Sequence, residues 1–222
     1  MNELALLTQS NIDSKIYYVL DFKGAKIIMN KFKIVHIIHI FLFAPTITEK
    51  KPVPIFGRTR LMKMLFLFER ELSKKFIDPK KIDKFDFEAY NFGPFSKKVY
   101  EALDFLHSRE IIKIENVPEN SLNYEDAILD QVLLTEEENK IFFQGTSPYY
   151  SERFELTNKG ITFMKDKEKW FSWKNLDDEQ QNLIVNFKTQ MVSTPLKKIL
   201  RYVYEKYPKY AESSLILQRI GM

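Results

Sequence analysis

Residues 85–96 read Phe-Asp-Phe-Glu-Ala-Tyr-Asn-Phe-Gly-Pro-Phe-Ser, and the order of these residues decides the fold class. Apolar and polar residues alternate at first, as in a short half-buried strand. Gly93 and Pro94 then turn the chain, and Ser96 is a good N-cap for a helix. Val99, Leu103 and Leu106, with Tyr100, supply the inward stripe of that helix to about Ser108. Residues 111–114 leave it as a strand.

Upstream, residues 31–44 are apolar around most of a helical surface and stop at Pro45, which predicts a central helix. Residues 45–57 hold three prolines and a glycine and read as a loop. Thr59 then caps a second helix over residues 60–75, with Leu61, Leu65, Phe68 and Leu72 at helical spacing and Arg60, Lys63, Arg70 and Lys74 along its polar edge. Nearer the start, residues 16–29 predict two short strands about a Lys23-Gly24 turn.

Downstream, residues 115–138 are acidic with few apolar anchors and read as a long wing loop or insertion, after which a strand resumes near residues 140–143. Phe154 and Leu156 point one way from another short strand, and Thr157 caps the next helix. Asp177 with Gln180 makes a capping-box pattern ahead of Leu183, Ile184, Phe187 and Met191. Thr194-Pro195 opens a last helix with the core stripe Leu196, Ile199, Leu200, Val203 and Tyr204, closed by Pro208. The succession predicts a mainly α chain with small β elements, of the α+β class. Its expected core is winged helix-turn-helix-like, with extra C-terminal helices. The expected organisation is an N-terminal extension over 1–30, a winged-helix-like domain over 31–170 with an acidic insertion at 115–138, and a C-terminal helical subdomain over 171–222.

Apolar residues make up 45% of the chain and charged residues 29%, enough to build a core and unlike a disordered composition. Zero cysteines exclude disulfides, thiolate metal sites and a cysteine nucleophile, and suit a cytoplasmic protein. The longest apolar run, residues 32–44, carries Lys33, His36 and His39 and is too short to span a bilayer, so no membrane partner is expected. No P-loop, dinucleotide-binding glycine pattern or serine-nucleophile elbow appears, so neither an enzyme nor a cofactor is expected.

Three stretches carry a resemblance. They are residues 57–69, Gly-Arg-Thr-Arg-Leu-Met-Lys-Met-Leu-Phe-Leu-Phe-Glu; residues 87–96, Phe-Glu-Ala-Tyr-Asn-Phe-Gly-Pro-Phe-Ser; and residues 202–208, Tyr-Val-Tyr-Glu-Lys-Tyr-Pro. In their order, over roughly residues 31–218, they resemble the YwgA-like prokaryotic proteins. More distantly they are similar to the Panacea (SocA-like) antitoxin domain. The resemblance implies a winged-helix-like domain of regulators, antitoxins and genes near defence loci, and it supplies no catalytic residues. The N-terminal extension, the acidic segment and the aromatic-rich C-terminal stretch depart from the Panacea pattern.

Charge is segregated along the chain. Residues 50–81 hold ten Lys and Arg against three acids, whereas residues 115–138 hold eight acids and no Lys or Arg. If the unit binds duplex DNA, Lys97 and Lys98 at the mouth of one helix and Arg58, Arg60 and Lys63 at the mouth of the preceding one are the phosphate contacts. The bland alternative is a solvated basic face. The acidic segment opposes a phosphate backbone. It fits a protein partner better, such as a basic toxin or defence effector, with Glu136, Glu137, Glu138, Tyr207 and Tyr210 as the interface; it also reads as a cover for the basic block or as a solvated insertion. Oligomeric state stays open, a homodimer included. His36 and His39 share a helix face without a nearby carboxylate, so no metal site is assigned. Asp86 and Glu88 alternate on one strand, and a structural role suits them better than metal-dependent nuclease chemistry. The first expectation is thus a non-enzymatic DNA-binding regulator, and the second a protein-interaction module, antitoxin-like or part of a defence complex.

Overall fold

A computed structural model describes residues 18–20, 26–28, 31–91, 93–118, 126, 129, 150–212 and 214. The chain divides after Lys31 into two units. In the first, β1 (Tyr18–Leu20) and β2 (Lys26–Ile28) pair antiparallel, with Tyr18 opposite Ile28 and Leu20 opposite Lys26. The Lys23-Gly24 turn expected between them lies outside the described residues.

The second unit runs from Phe32 onward. It is mostly helical with small antiparallel sheets, an α+β structure. Helix α1 (Ile34–Phe43) is buried on nearly every side and stops before Pro45. The expected loop that follows contains a two-residue strand, β3 (Ile55–Phe56). Helix α2 (Arg58–Leu67) starts earlier than the Thr59 cap predicts. Gly57 stands at its N-cap with φ 87°, a conformation glycine adopts without a Cβ penalty. Its amide donates to Glu152 O at 2.8 Å, tying the helix entry to a strand far along the chain.

The second helix is also not uniform. A wider π turn over Phe68–Leu72 joins α2 to a last helical turn, α3 (Ser73–Phe76). From this turn Glu69 accepts the Phe85 amide at 2.8 Å, while Glu71 reaches the C-terminal helix.

The strand expected to open at Phe85 begins only at β4 (Glu88–Tyr90), which pairs with β5 (Gly93–Phe95). Gly93 and Pro94, expected to turn the chain, lie within β5 opposite Tyr90 and Ala89, and the turn comes before them at Asn91. The reason for the late start of β4 lies at Asp86. It sits at φ 53°, in the left-handed region that Asp tolerates better than most residues, which breaks the extended backbone there, while Phe85 and Phe87 on either side are buried with their rings stacked 5.9 Å apart. Gly93 has φ 86°, and a Cβ there would lie 2.5 Å from the Tyr204 ring. Absence of a side chain thus lets the hairpin and the C-terminal helix touch.

Ser96 caps α4 (Lys97–Ser108), accepting the Val99 amide at 3.3 Å. Strands β6 (Ile112–Pro118) and β7 (Tyr150–Leu156) complete a three-stranded antiparallel sheet of order β3–β7–β6. In its register Ile112 faces Leu156, Ile114 faces Phe154, Lys113 faces Glu155 and Glu115 faces Arg153. One face is therefore apolar and the other charged. The strand expected at 140–143 lies outside the described residues. Thr157 caps α5 (Asn158–Lys165), and the Asp177–Gln180 capping box opens α6 (Asp178–Ser193), both as the sequence predicts. Pro195 precedes α7 (Leu196–Lys206), whose Leu196, Ile199, Leu200, Val203 and Tyr204 are buried.

Helices α6 and α7 belong to the same compact unit and are not a separate subdomain. A fully buried Lys188 on α6 shows how closely they are joined to the rest: its Nζ donates to Ala44 O at 2.6 Å, at the end of α1, and to Val53 O at 2.7 Å, in the loop before β3. Among the described residues no helix is long and apolar enough to cross a membrane.

Candidate interaction surface

The cations expected at the mouths of α2 and α4 do not point outward together. Arg58, Arg60 and Lys63 are 6%, 6% and 3% exposed. Residues 60–68 are all buried, so a cation on this helix must bring its counter-charge inside with it.

Arg58 makes a bidentate pair with Glu152 of β7, Nε to Oε2 at 2.5 Å and Nη2 to Oε1 at 2.6 Å. Its guanidinium also lies 4.7 Å from the Tyr100 ring centroid. Burial alone would lower its pKa, but the Glu152 pair outweighs that and raises it, so the group stays charged. Arg60 donates to Met191 O, to Thr194 O at 2.6 Å and to Asp126 Oδ2 at 2.5 Å. The other oxygen of Asp126 accepts the Leu196 amide at 2.7 Å. The guanidinium thus serves carbonyls ending α6 while the carboxylate caps α7, an ion pair set across a helix–helix corner. Lys63 donates to Pro94 O at 3.0 Å and holds the β4–β5 hairpin. The expected phosphate contacts on α2 are internal fastenings.

Lys97 and Lys98 are exposed, but each meets an acid: Lys97 lies 3.7 Å from Glu101, and Lys98 lies 2.5 Å from the Asp86 carboxylate. Such exposed pairs contribute little to stability. Their weight is in the field they leave, because Lys97 and Lys98 are balanced by Glu101 and Asp104 on the same exposed face. The charged face of β6–β7 behaves alike. Lys113 meets Glu115 at 2.5 Å, and Arg153 meets Glu155 at 2.5 Å and Glu115 at 3.6 Å. The aromatic residues beside this neutral surface are not all covered. Tyr90 at the hairpin tip is 42% exposed and Phe105 on α4 is 41% exposed. Tyr90, Phe95 and Tyr100 form a row with centroid spacings of 5.1 and 5.2 Å.

Of the residues expected at a protein interface, Tyr210 is a core residue. It packs 4.9 Å from the Phe66 ring, and its hydroxyl accepts from Arg70 at 2.7 Å. Tyr207 is half-buried and donates to Glu71 at 2.9 Å. Glu136, Glu137 and Glu138 lie outside the described residues. The exposed tyrosine of this region is Tyr202, whose hydroxyl donates to Glu71 at 3.0 Å. Its neighbours Lys197, Lys198, Arg201, Glu205 and Lys206 are exposed as well. The apolar stripe of α7 marks which of its residues turn inward, whereas the exposure of Tyr202 and these charges follows from what covers the helix.

His36 and His39 are both buried. Nδ1 of His36 accepts the Lys33 amide at 3.2 Å, and its ring stacks on Phe171 at 4.0 Å. Nε2 of His39 donates to Gly160 O at 2.9 Å. Burial pushes their pKa values down to about 3 and about 4, so both imidazoles are neutral packing residues. Asp86 and Glu88 do not meet, since Asp86 turns to Lys98 and Glu88 stands exposed on β4. Among the described residues no three His, Asp or Glu gather to hold a metal ion. Comparison of the chain with protein-family models, with curated proteins and with solved structures finds no match.

Proposed function

We propose that this chain is a non-enzymatic, winged-helix-like protein that acts by binding another protein. The winged-helix reading is supported by the succession α1, β3, α2, α4, β6, β7 and by the sheet order β3–β7–β6, in which α4 stands where a recognition helix would. One observation turns the reading from DNA toward protein. The cations of α4 and of the β6–β7 ribbon, where such a unit would face a duplex, meet acids of the same chain, and the surface left beside them exposes Phe105 and Tyr90. A duplex is held by cations that release its counterions, and a balanced face releases few. Aromatic residues on a neutral surface are the common anchors of protein interfaces. The toxin-binding or defence-complex role implied by the resemblance belongs to this class of function.

The test places a photo-crosslinking phenylalanine analogue at Phe105 in the cell that makes the chain, with the same analogue at exposed Lys50 as control. Discrete protein adducts at Phe105 and none at Lys50 are expected. The reading is overturned by nucleic-acid adducts at Phe105. Equally damaging is a steeply salt-dependent duplex affinity of the purified chain that disappears in the Lys97→Glu/Lys98→Glu variant.

A further inference from the structure

Helix α7 differs from α4 in what its outward face carries. Its exposed positions are Lys197, Lys198, Arg201, Tyr202, Glu205 and Lys206, four cations against one acid on a helix about 16 Å long. Among the described residues two carboxylates bound this face, and both are held by the groups at its ends. Asp126 is seated on the Leu196 amide at 2.7 Å at the N-terminal end. At the other end Glu71 receives Lys206 Nζ at 3.0 Å and the Tyr202 hydroxyl at 3.0 Å. Between them Lys197 and Lys198 stand at the first turn, exposed to solvent.

From this arrangement we infer that the outward face of α7 is a docking surface for an acidic segment of a partner protein, an inference that rests on the protein-binding reading above. Charge complementarity selects an anionic occupant, and the two bounding carboxylates decide which kind. A duplex presents a phosphate charge every ~1.7 Å along its axis in fixed rows, and such rows would lie against Asp126 and Glu71 as well as the lysines. Carboxylates on a flexible chain can be spaced to meet the cations and pass the fixed acids by. The helix itself stands next to the Tyr90 hairpin, since α7 packs on β5 through its buried side and the turn at Pro208–Tyr210 packs on β4.

The probe is a fluorescent synthetic peptide of Glu and Asp interspersed with Gly, titrated by anisotropy against the full chain at rising salt. Two variants carry the same change in net charge, Lys197→Glu/Lys198→Glu on α7 and Lys97→Glu/Lys98→Glu on α4, both first shown to keep the parent circular dichroism spectrum. The expected result is binding that weakens with salt, drops about ten-fold or more in the α7 variant and holds in the α4 variant. Three outcomes overturn it: no binding at low salt, equal loss in both variants, or a mixed-sequence duplex that displaces the peptide and is itself lost in the α7 variant. Protein adducts at Phe105 together with a peptide indifferent to α7 would sink this inference alone, while the absence of those adducts would sink the reading beneath it.

Discussion

Helix α2 and helix α7 are both rich in cations, and the structure treats them in opposite ways. In α2 the cations Arg58, Arg60 and Lys63 are all buried, whereas in α7 Lys197, Lys198, Arg201 and Lys206 are exposed. The difference lies in how many sides of each helix are covered. α2 has α6, α7, β3 and β5 packed around it, so its cations meet protein groups, whereas α7 covers one stripe and leaves the rest to water. A run of Lys and Arg is thus not yet a surface charge. In a central helix it is a set of long arms that tie distant segments together, and each arm needs its own acceptor.

The contrast can be broken most sharply at Arg58. Arg58→Ala leaves the Glu152 carboxylate buried without its partner, and stability should fall by about 3–5 kcal/mol in urea unfolding. Arg58→Met combined with Glu152→Leu should be milder than Arg58→Ala alone, because removing both charges leaves neither uncompensated. Next in size is Lys188. Lys188→Met strips the donor from Ala44 O and Val53 O, at a cost of about 1–3 kcal/mol measured the same way.

Acid should act on the buried histidines before it acts on either basic helix. His36 and His39 have folded pKa values of about 3 and about 4 against an ordinary 6.5, so between these limits the unfolded chain binds more protons. Their contribution to stability is complete above pH 6.5 and is lost as pH falls toward 4 and then 3. Urea midpoints across that range should slope downward into acid, and His36→Leu with His39→Gln should flatten the slope. The smallest effect belongs to α7. Lys197→Glu/Lys198→Glu should change stability by no more than about 0.5 kcal/mol, since neither side chain is buried. A loss comparable to that of Arg58→Ala would mean that the two helices are not different in kind.

Much of the framework was legible in the sequence because local chemistry dictates it. Ser96, Thr157 and the Asp177–Gln180 box cap helices, Pro45 follows one and Pro208 follows another, and the alternation around Phe154 and Leu156 marks a strand. What stayed hidden depends on partners far along the chain. Nothing near Arg58 announces Glu152, ninety-four residues away, and nothing near Arg60 announces Asp126, sixty-six residues away. The π turn at Phe68–Leu72 was hidden too, since the spacing of Leu65, Phe68 and Leu72 suits an ordinary helix. Asp86 sits amid an alternation that fits an unbroken strand, and no neighbouring residue marks its left-handed backbone. Tyr210 is core rather than interface, because the order of tyrosines along the chain does not say which one lies over Phe66.

The corner between α6 and α7 has a consequence for the order in which the chain assembles. Its guanidinium comes from residue 60, its carboxylate from 126 and its helix ends from 191–196, so three widely separated stretches must converge before it closes. Long-range closures of this kind come late on a folding route, after the local turns have formed. A chain altered at Asp126 should therefore refold at nearly the parent rate yet come apart faster, placing this ion pair among the features that set how long the native state lasts once reached.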